Sequence, residues 1–257
     1  MPAINFRVQG QGIPVILIHG FCENLTMWNN IAAPLSEHYQ IYSIDLPGFG
    51  KSELPTNNIS LELVAEILKD WAIAQGIDEA VWIGHSLGGY VGLALADLFP
   101  ETIKGFGLIH STAFADTIEG KENRNRVMEF ILKHGHQKWI ETFAPSLFAR
   151  DNLNHCQEAV EAIRQMGLNT SQESILAYTK AMRDRPDRFN VWKNIMAHCL
   201  FVGGTEDIRI GPEISEEHIY GRETVDGYIL QGIGHMGMFE DRNQFQVILE
   251  NYLGKIS

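Results

Sequence analysis

Positive charge is scarce in this 257-residue chain: 20 Lys and Arg residues stand against 32 Asp and Glu residues, a formal net charge of −12. Nucleic-acid binding through a basic surface is therefore disfavoured, because phosphate contacts need clustered positive charge. No hydrophobic run approaches the ~20 residues that cross a bilayer. The first residues also lack the basic-then-apolar pattern of a signal peptide. We therefore expect a cytoplasmic protein without a membrane segment.

Cysteine is scarce too: Cys22, Cys156 and Cys199 are far apart and form no Cys-x-x-Cys pair. An odd, scattered set is typical of free thiols in a reducing compartment and does not indicate a disulfide framework.

No group of His, Cys and carboxylate residues shows metal-ligand spacing, so we predict neither a metal nor a cofactor. Prolines number only 9, whereas 45% of the residues are hydrophobic, which excludes a disordered chain and allows a sizeable core.

Short apolar runs alternate with helical patterns in the first and last parts of the chain. We predict strands at residues 15–19, 41–45, 80–84, 103–110, 199–203 and 227–231. Helices are predicted after a capping residue, Ser60, and over residues 90–99 and 242–252. This alternation predicts an α/β fold with a mostly parallel central sheet flanked by helices.

The pattern changes to helices alone between about residues 112 and 190. We predict these helices at 123–134, 137–143, 154–166 and 171–182, the last one with Thr170 and Glu173 as a capping box. The chain therefore divides into an α/β core, residues 1–111 and 191–257, and a helical insertion, residues 112–190.

The segment Gly84-His85-Ser86-Leu87-Gly88-Gly89 follows a strand directly and precedes a helix, which is the context of a G-x-S-x-G nucleophile elbow. Such a tight turn strains its central residue, and a side chain at Gly84 or Gly88 would collide with neighbouring backbone. The hydroxyl of Ser86 would project from the turn. We predict that Ser86 is a nucleophile, the alternative being a glycine-rich turn with an incidental serine.

A serine nucleophile needs a base, and the base needs an acid that orients it. Asp207 follows the strand predicted at 199–203, and His235 follows the strand predicted at 227–231. The chain order Ser86, Asp207, His235 is the order expected when these residues follow successive strands of one sheet. We predict these three residues as a catalytic triad.

Other residues compete for these roles. His110 ends a strand near the site and is the rival base, while Glu206 and Asp116 are alternatives to the acid. We expect His19 to make a structural hydrogen bond and His85 to point away from the reacting side. Three histidines of the insertion are expected on solvated faces: His134, His136 and His155.

Acyl transfer also needs donors for the oxyanion of the tetrahedral intermediate. One donor should be the backbone N–H of Leu87, the residue after the predicted nucleophile. The other should be the backbone N–H of Phe21, in the loop after the first buried strand, with its ring available as a wall of the pocket.

Several apolar residues could line that pocket or simply pack helices together. Those of the insertion are Trp139, Phe143, Leu147, Phe148, Met166 and Met182. Met236 and Met238, beside the predicted base, are better pocket candidates because thioether side chains adapt to varied apolar ligands.

Taken together, these motifs resemble the α/β-hydrolase superfamily. The matching segments are residues 19–21, 45–52, 84–89, 204–207 and 234–235. The resemblance implies an α/β-hydrolase fold in which the insertion forms a cap, or lid. In length and motifs the chain is similar to small carboxylesterases, including the group that cleaves methyl esters of pimeloyl-carrier protein. It is also similar to the lyase of menaquinone synthesis and to the hydrolases of carbon–carbon bonds.

These features predict a cofactor-independent serine hydrolase that cleaves small or medium carboxylic esters through an acyl-enzyme. The alternatives are carbon–carbon bond hydrolysis or a lyase reaction with the same triad, and a ligand receptor on the same fold. We expect a small-molecule ester as the partner, either free or linked to a carrier protein, and a monomer or homodimer.

The net charge is unevenly distributed between the two parts. Residues 116–190 contain 11 basic and 11 acidic residues, whereas the remainder contains 9 basic and 21 acidic ones. The simplest interpretation is that these charged residues form solvated surfaces on both the core and the insertion. The sharper hypothesis is that basic residues of the cap attract an anionic substrate or an acidic carrier protein.

Overall fold

A seven-stranded sheet lies at the centre of the computed structural model, which describes residues 3–256. Its strands are β1 (Phe6–Gln9), β2 (Pro14–Ile18), β3 (Gln40–Ile44), β4 (Ala80–His85), β5 (Ile103–Ile109), β6 (His198–Gly204) and β7 (Asp226–Leu230). They are ordered β1-β3-β2-β4-β5-β6-β7. Only the β1–β3 pairing within this sheet is antiparallel. The predicted α/β fold with a mostly parallel sheet is confirmed.

Eleven α-helices surround the sheet within residues 3–256. They are α1 (Asn29–Leu35), α2 (Leu61–Ala74), α3 (Leu87–Leu98), α4 (Ile118–His134), α5 (His136–Phe143), α6 (Gln157–Leu168), α7 (Gln172–Asp184), α8 (Phe189–Asn194), α9 (Pro212–Tyr220), α10 (Gly237–Glu240) and α11 (Arg242–Leu253). None of the helices in the described part of the chain is both long and apolar enough to cross a membrane.

Alternation of side chains along the strands builds a core on each face of the sheet. Ile16 and Trp82 are buried in the cluster that includes α2 and α3. Leu17 and Ile83 are buried in the opposite cluster, together with α1 and α11. Because both faces are covered, the central strands appear in the sequence as continuous apolar runs.

Five of these strands and helices were not predicted from the sequence: β1, α1, α8, α9 and α10. β1 is an edge strand of four residues with no buried side chain, so it lacks the apolar run that marks the other strands. Helix α3 also begins at Leu87, earlier than the predicted start at residue 90, because the chain turns into a helix immediately after Ser86.

Helices α4 to α8 occupy the sequence between β5 and β6. The predicted capping box is wrong, because α7 is capped by Ser171, whose Oγ accepts a hydrogen bond from the Ser174 N–H at 3.1 Å. His136 is buried, not solvated, because it lies where α5 packs against α6.

The division at residues 112 and 190 stays a prediction, and residues 1–2 and 257 of the predicted core lie outside the described residues.

Candidate active site

Ser86 stands at the junction of β4 and α3 in a rare backbone conformation, with φ 49° and ψ −112°. A positive φ at a residue other than glycine costs about 1–3 kcal/mol and must be held by its surroundings. The Ser86 N–H donates to the Ile109 carbonyl at 2.9 Å, and the Ser111 hydroxyl donates to the Ser86 carbonyl at 2.8 Å. These bonds to the end of β5 hold the turn in place.

Glycines allow the strand and helix to approach each other at this turn. A Cβ at Gly84 would lie 2.3 Å from the carbonyl of Gly88, and a Cβ at Gly88 would lie 2.5 Å from the carbonyl oxygen of Ile18. Real Cβ atoms do not approach backbone so closely, so a side chain at either position would push the turn apart.

Asp207 and His235 meet at the carboxyl ends of β6 and β7. His235 Nδ1 lies 2.7 Å from Asp207 Oδ2, and both side chains are almost fully buried. Asp207 Oδ1 accepts the N–H groups of Arg209 at 2.9 Å and Ile210 at 3.1 Å. These bonds fix the carboxylate, so its second oxygen can orient the imidazole.

Burial sets the charge states of this pair. It lowers the pKa of His235 to about 4, although the Asp207 charge opposes that change. Burial also acts to raise the pKa of Asp207, but the imidazoles of His235 and His110 outweigh it and hold that pKa well below its usual range. At neutral pH the carboxylate is therefore ionised and the imidazole neutral, with its proton on Nδ1 and a free lone pair on Nε2.

His110, the rival base, is a second imidazole on the same carboxylate oxygen. Its Nδ1 lies 3.3 Å from Asp207 Oδ2, and its Nε2 accepts the Gly237 N–H at 3.3 Å. Ligand atoms of His110, Asp207 and His235 lie within 4.8 Å of one another, although the sequence shows no metal-ligand spacing. Since both imidazoles direct Nδ1 at Asp207 Oδ2, hydrogen bonds account for this grouping. Both nitrogens of His110 are occupied, which favours His235 as the base.

The two rivals of Asp207 are placed differently. Glu206 is exposed, and within the described residues its carboxylate accepts a hydrogen bond only from the hydroxyl of its neighbour Thr205. Asp116 forms ion pairs with Arg124 and Arg185. Neither carboxylate contacts an imidazole in the part of the chain that the structure describes.

The two predicted oxyanion donors are Phe21, which lines a cavity together with Ser86, and Leu87, the next residue along the chain. Phe21 follows β2, and Leu87 is the first residue of α3. Within residues 3–256 neither backbone N–H donates a hydrogen bond to another group of the protein. Both amides are therefore available to a bound oxygen.

Glu23 and His85 form a buried pair that was not predicted from the sequence, and this pair links the loop after β2 to the backbone at His235. His85 Nδ1 lies 3.1 Å from Glu23 Oε2, and His85 Nε2 lies 2.9 Å from the His235 carbonyl. Glu23 also accepts the Gly20 N–H at 2.6 Å. Because both ring nitrogens face acceptors, His85 must donate from both and is an imidazolium. Burial acts to lower the pKa of His85, but the Glu23 charge outweighs it and raises that pKa.

Glu240 is a second residue that no sequence motif identifies. Its carboxylate accepts the N–H groups of Gly234 and Met236, both at 3.1 Å, and the N–H of Ala149 at 2.9 Å. The Asn152 amide donates to the same carboxylate at 2.7 Å. Glu240 thus holds the loop that carries His235 against the segment that follows α5.

His19 makes the structural hydrogen bond expected of it. Its Nε2 accepts the Leu46 N–H at 3.0 Å, and its Nδ1 donates to the Gly20 carbonyl at 2.7 Å. The ring thereby ties the end of β2 to the loop after β3. Burial lowers the pKa of His19.

Ser86 and His235 line one cavity of about 690 Å³. Aromatic rings form one wall: the Phe21 ring centroid lies 5.9 Å from that of Trp139 and 6.0 Å from that of Phe143. Residues from α4, α5 and α7 also line this cavity, so three of the helices between β5 and β6 face the same space as Ser86.

The apolar residues proposed for the pocket divide into two groups. Four of them line the cavity: Trp139, Phe143, Leu147 and Met182. Four do not: Phe148, Met166, Met236 and Met238. The preference for the two methionines next to His235 is wrong, because their side chains are buried in the core cluster on the α11 face of the sheet.

A sequence model of the family described as "alpha/beta hydrolase fold" matches residues 13–201. The chain belongs to this family. The alpha/beta hydrolase core motifs identified in the sequence, from the segment after β2 to the elbow at Ser86, lie inside the matched region.

Solved structures resemble this alpha/beta hydrolase over its whole length. A thermophilic esterase from Thermogutta terrifontis, solved with malate bound, is 28% identical with a TM-score of 0.94, covering 99% of this chain and 94% of the esterase. An enol-lactonase from Burkholderia xenovorans has a TM-score of 0.90 at 20% identity, covering 99% of this chain and 97% of the lactonase. At that identity the lactonase shows the fold alone.

Curated relatives match over shorter stretches. A pimeloyl-[acyl-carrier protein] methyl ester esterase from Citrobacter koseri is 38% identical over 114 residues, which is 44% of this chain and 42% of that enzyme. For five of the curated relatives that it matches, the chain spans between 29% and 65% of their lengths.

Proposed function

We propose that this alpha/beta hydrolase is a serine hydrolase that cleaves small or medium carboxylic esters. The observation that carries the proposal is the 2.7 Å contact between His235 Nδ1 and Asp207 Oδ2, at a cavity that Ser86 also lines. A neutral imidazole oriented by an ionised carboxylate, beside a serine on a strained turn, is suited to acyl transfer.

In the proposed reaction, His235 Nε2 takes the hydroxyl proton of Ser86 as the serine oxygen attacks the ester carbonyl. Asp207 stabilises the imidazolium that forms, and the amides of Phe21 and Leu87 bind the oxyanion. His235 then gives the proton to the leaving alcohol, and the acyl group remains on Ser86. Water, activated by His235, attacks the acyl-enzyme and releases the acid. Every step uses this chain's own side chains, its backbone and water.

Two features support an ester substrate enclosed by a cap. Residues of α4, α5 and α7 line the cavity, so helices α4 to α8 serve as the cap in this proposal. The Thermogutta esterase matches 99% of this chain in structure, and the Citrobacter relative is named for its action on a carrier-linked methyl ester. The substrate is therefore a small-molecule ester, free or carrier-linked.

A substrate panel tests the reaction class. We expect hydrolysis of p-nitrophenyl acetate and butyrate, and no cleavage of a vinylogous diketone. Cleavage of the diketone without ester hydrolysis would assign the same residues to carbon–carbon bond chemistry. Ligand-dependent shifts in melting temperature with negligible turnover of both substrates would contradict an enzyme and favour a receptor.

Activity should persist into acidic solution, because His235 is a base only when neutral. Burial lowers its pKa from 6.5 to about 4. The acid limb of kcat/KM against pH should therefore have its midpoint near 4, with nearly full activity at pH 5.5. An imidazole of ordinary pKa would retain about a tenth of the activity at that pH.

Folding stability changes in the same range and must be followed separately. Because the folded pKa of His235 lies below the unfolded value, its neutral form contributes stability that is complete above pH 6.5 and is lost as the pH falls towards 4. Circular dichroism at each pH distinguishes unfolding from titration. A midpoint near 6.5 in protein that is still folded would contradict the assignment.

A further inference from the structure

The cavity beside Ser86 is rich in guanidinium groups, although the chain as a whole is acidic. Four arginines line it within the described residues: Arg124, Arg126, Arg185 and Arg209. Two of the lining carboxylates, Glu119 and Glu217, are exposed, and so are two of the arginines, Arg126 and Arg209. The other two lining carboxylates are Glu23 and Asp116.

Neither of these two carboxylates leaves an excess of negative charge. Glu23 is paired with the imidazolium of His85 at 3.1 Å. Asp116 is shared by two guanidiniums: it forms an ion pair with Arg124 and accepts Arg185 Nη1 at 2.6 Å. One positive charge of that triplet is therefore not compensated.

Arg209 adds a second positive charge. Its guanidinium carbon lies 4.9 Å from the centre of the Phe143 ring, and its Nη2 donates to the Ser146 hydroxyl at 2.7 Å. In the described part of the chain no carboxylate forms an ion pair with this guanidinium. The Phe143 ring in turn contacts Phe21, the proposed oxyanion residue. Arg209 therefore contacts the aromatic wall of the cavity, which extends through Phe143 to Phe21.

We infer that the cavity holds a carboxylate of the substrate against Arg209, so that the preferred esters carry a second, ionised acid group. This inference rests on the proposed ester hydrolysis and adds the substrate class. A guanidinium stacked on an aromatic face keeps its edge N–H groups for a planar carboxylate. The excess positive charge of the triplet formed by Asp116, Arg124 and Arg185 favours the same ligand.

A matched pair of substrates tests the inference: monomethyl glutarate and its neutral analogue, the methyl ester of glutaric acid monoamide. They have the same shape and differ in one charge. We expect kcat/KM of the wild-type protein to favour the anion by about tenfold or more, the range of a charge-assisted hydrogen bond. Arg209→Gln should reduce that ratio about tenfold. Arg164→Gln is the control, because Arg164 pairs with Glu141 and Glu161 outside the cavity, and it should leave the ratio unchanged.

Binding to the Ser86→Ala protein separates this inference from the proposed function. Calorimetric titration with the two glutarate esters should show tighter binding of the anion, and Arg209→Gln in the same background should remove the difference. Hydrolysis of both esters at equal kcat/KM, or an equal effect of Arg209→Gln on both, would overturn the inference alone. Absence of hydrolysis with a retained binding preference would overturn the proposed function and leave the carboxylate site standing.

Discussion

Replacing Ser86 with alanine is expected to lower kcat on p-nitrophenyl butyrate by roughly 10⁶-fold, the size of effect seen when a serine protease loses its nucleophile. The reason is that the acyl-enzyme cannot form without the hydroxyl, while the oxyanion amides and the cavity remain. The loss should appear in kcat and leave substrate binding largely intact. Steady-state kinetics and a thermal melt of the purified variant measure the two effects.

The matched control for this variant is Ser36→Ala. Ser36 follows α1, and its hydroxyl donates to the Ala33 carbonyl at 2.7 Å on the surface. Its replacement should leave kcat unchanged. If a folded Ser86→Ala protein kept more than about a hundredth of the wild-type kcat, catalysis would have to proceed without a serine nucleophile.

Asp207→Asn is the second large prediction, with an expected loss of roughly 10⁴ in kcat. The carboxylate accepts a hydrogen bond from His235 Nδ1–H, with 2.7 Å between Nδ1 and Oδ2, and would stabilise the imidazolium formed during attack. An asparagine has one neutral oxygen and one amide group, so it stabilises that charge poorly and can favour the wrong imidazole tautomer. Steady-state kinetics with p-nitrophenyl butyrate measures the loss.

Glu206→Gln is the control for the acid, since Glu206 is the neighbouring carboxylate and is exposed. It should change kcat by less than twofold. A larger loss from Glu206→Gln than from Asp207→Asn would contradict the role of Asp207. Because Asp207 also faces His110 at 3.3 Å, a melting curve is needed to separate lost catalysis from lost stability.

The sequence predicted the parts of this molecule that depend on local patterns. Continuous apolar runs marked strands buried on both faces, and glycines marked the turn at Ser86, where a Cβ at Gly84 or Gly88 would meet backbone. Asp207 and His235 were predicted as partners because each follows a predicted strand and residues that follow successive parallel strands meet at one edge of the sheet. The structure places their side chains 2.7 Å apart.

Features that depend on distant contacts could not be predicted in this way. Glu23 meets His85 across 62 positions, and Glu240 meets Ala149 across 91. No local motif connects either pair. Met236 was expected in the pocket because it is next to His235, but adjacent residues point in different directions, and Met236 is buried in the core.

The most direct test of the account is to map the covalent adduct that a fluorophosphonate forms with the wild-type protein. Such a reagent reports an activated serine, since it is attacked as the ester carbonyl would be. We expect one adduct per chain, carried by the peptide that contains Ser86 and formed more slowly below pH 4. An adduct on another residue, or no adduct on the folded protein at neutral pH, would contradict it.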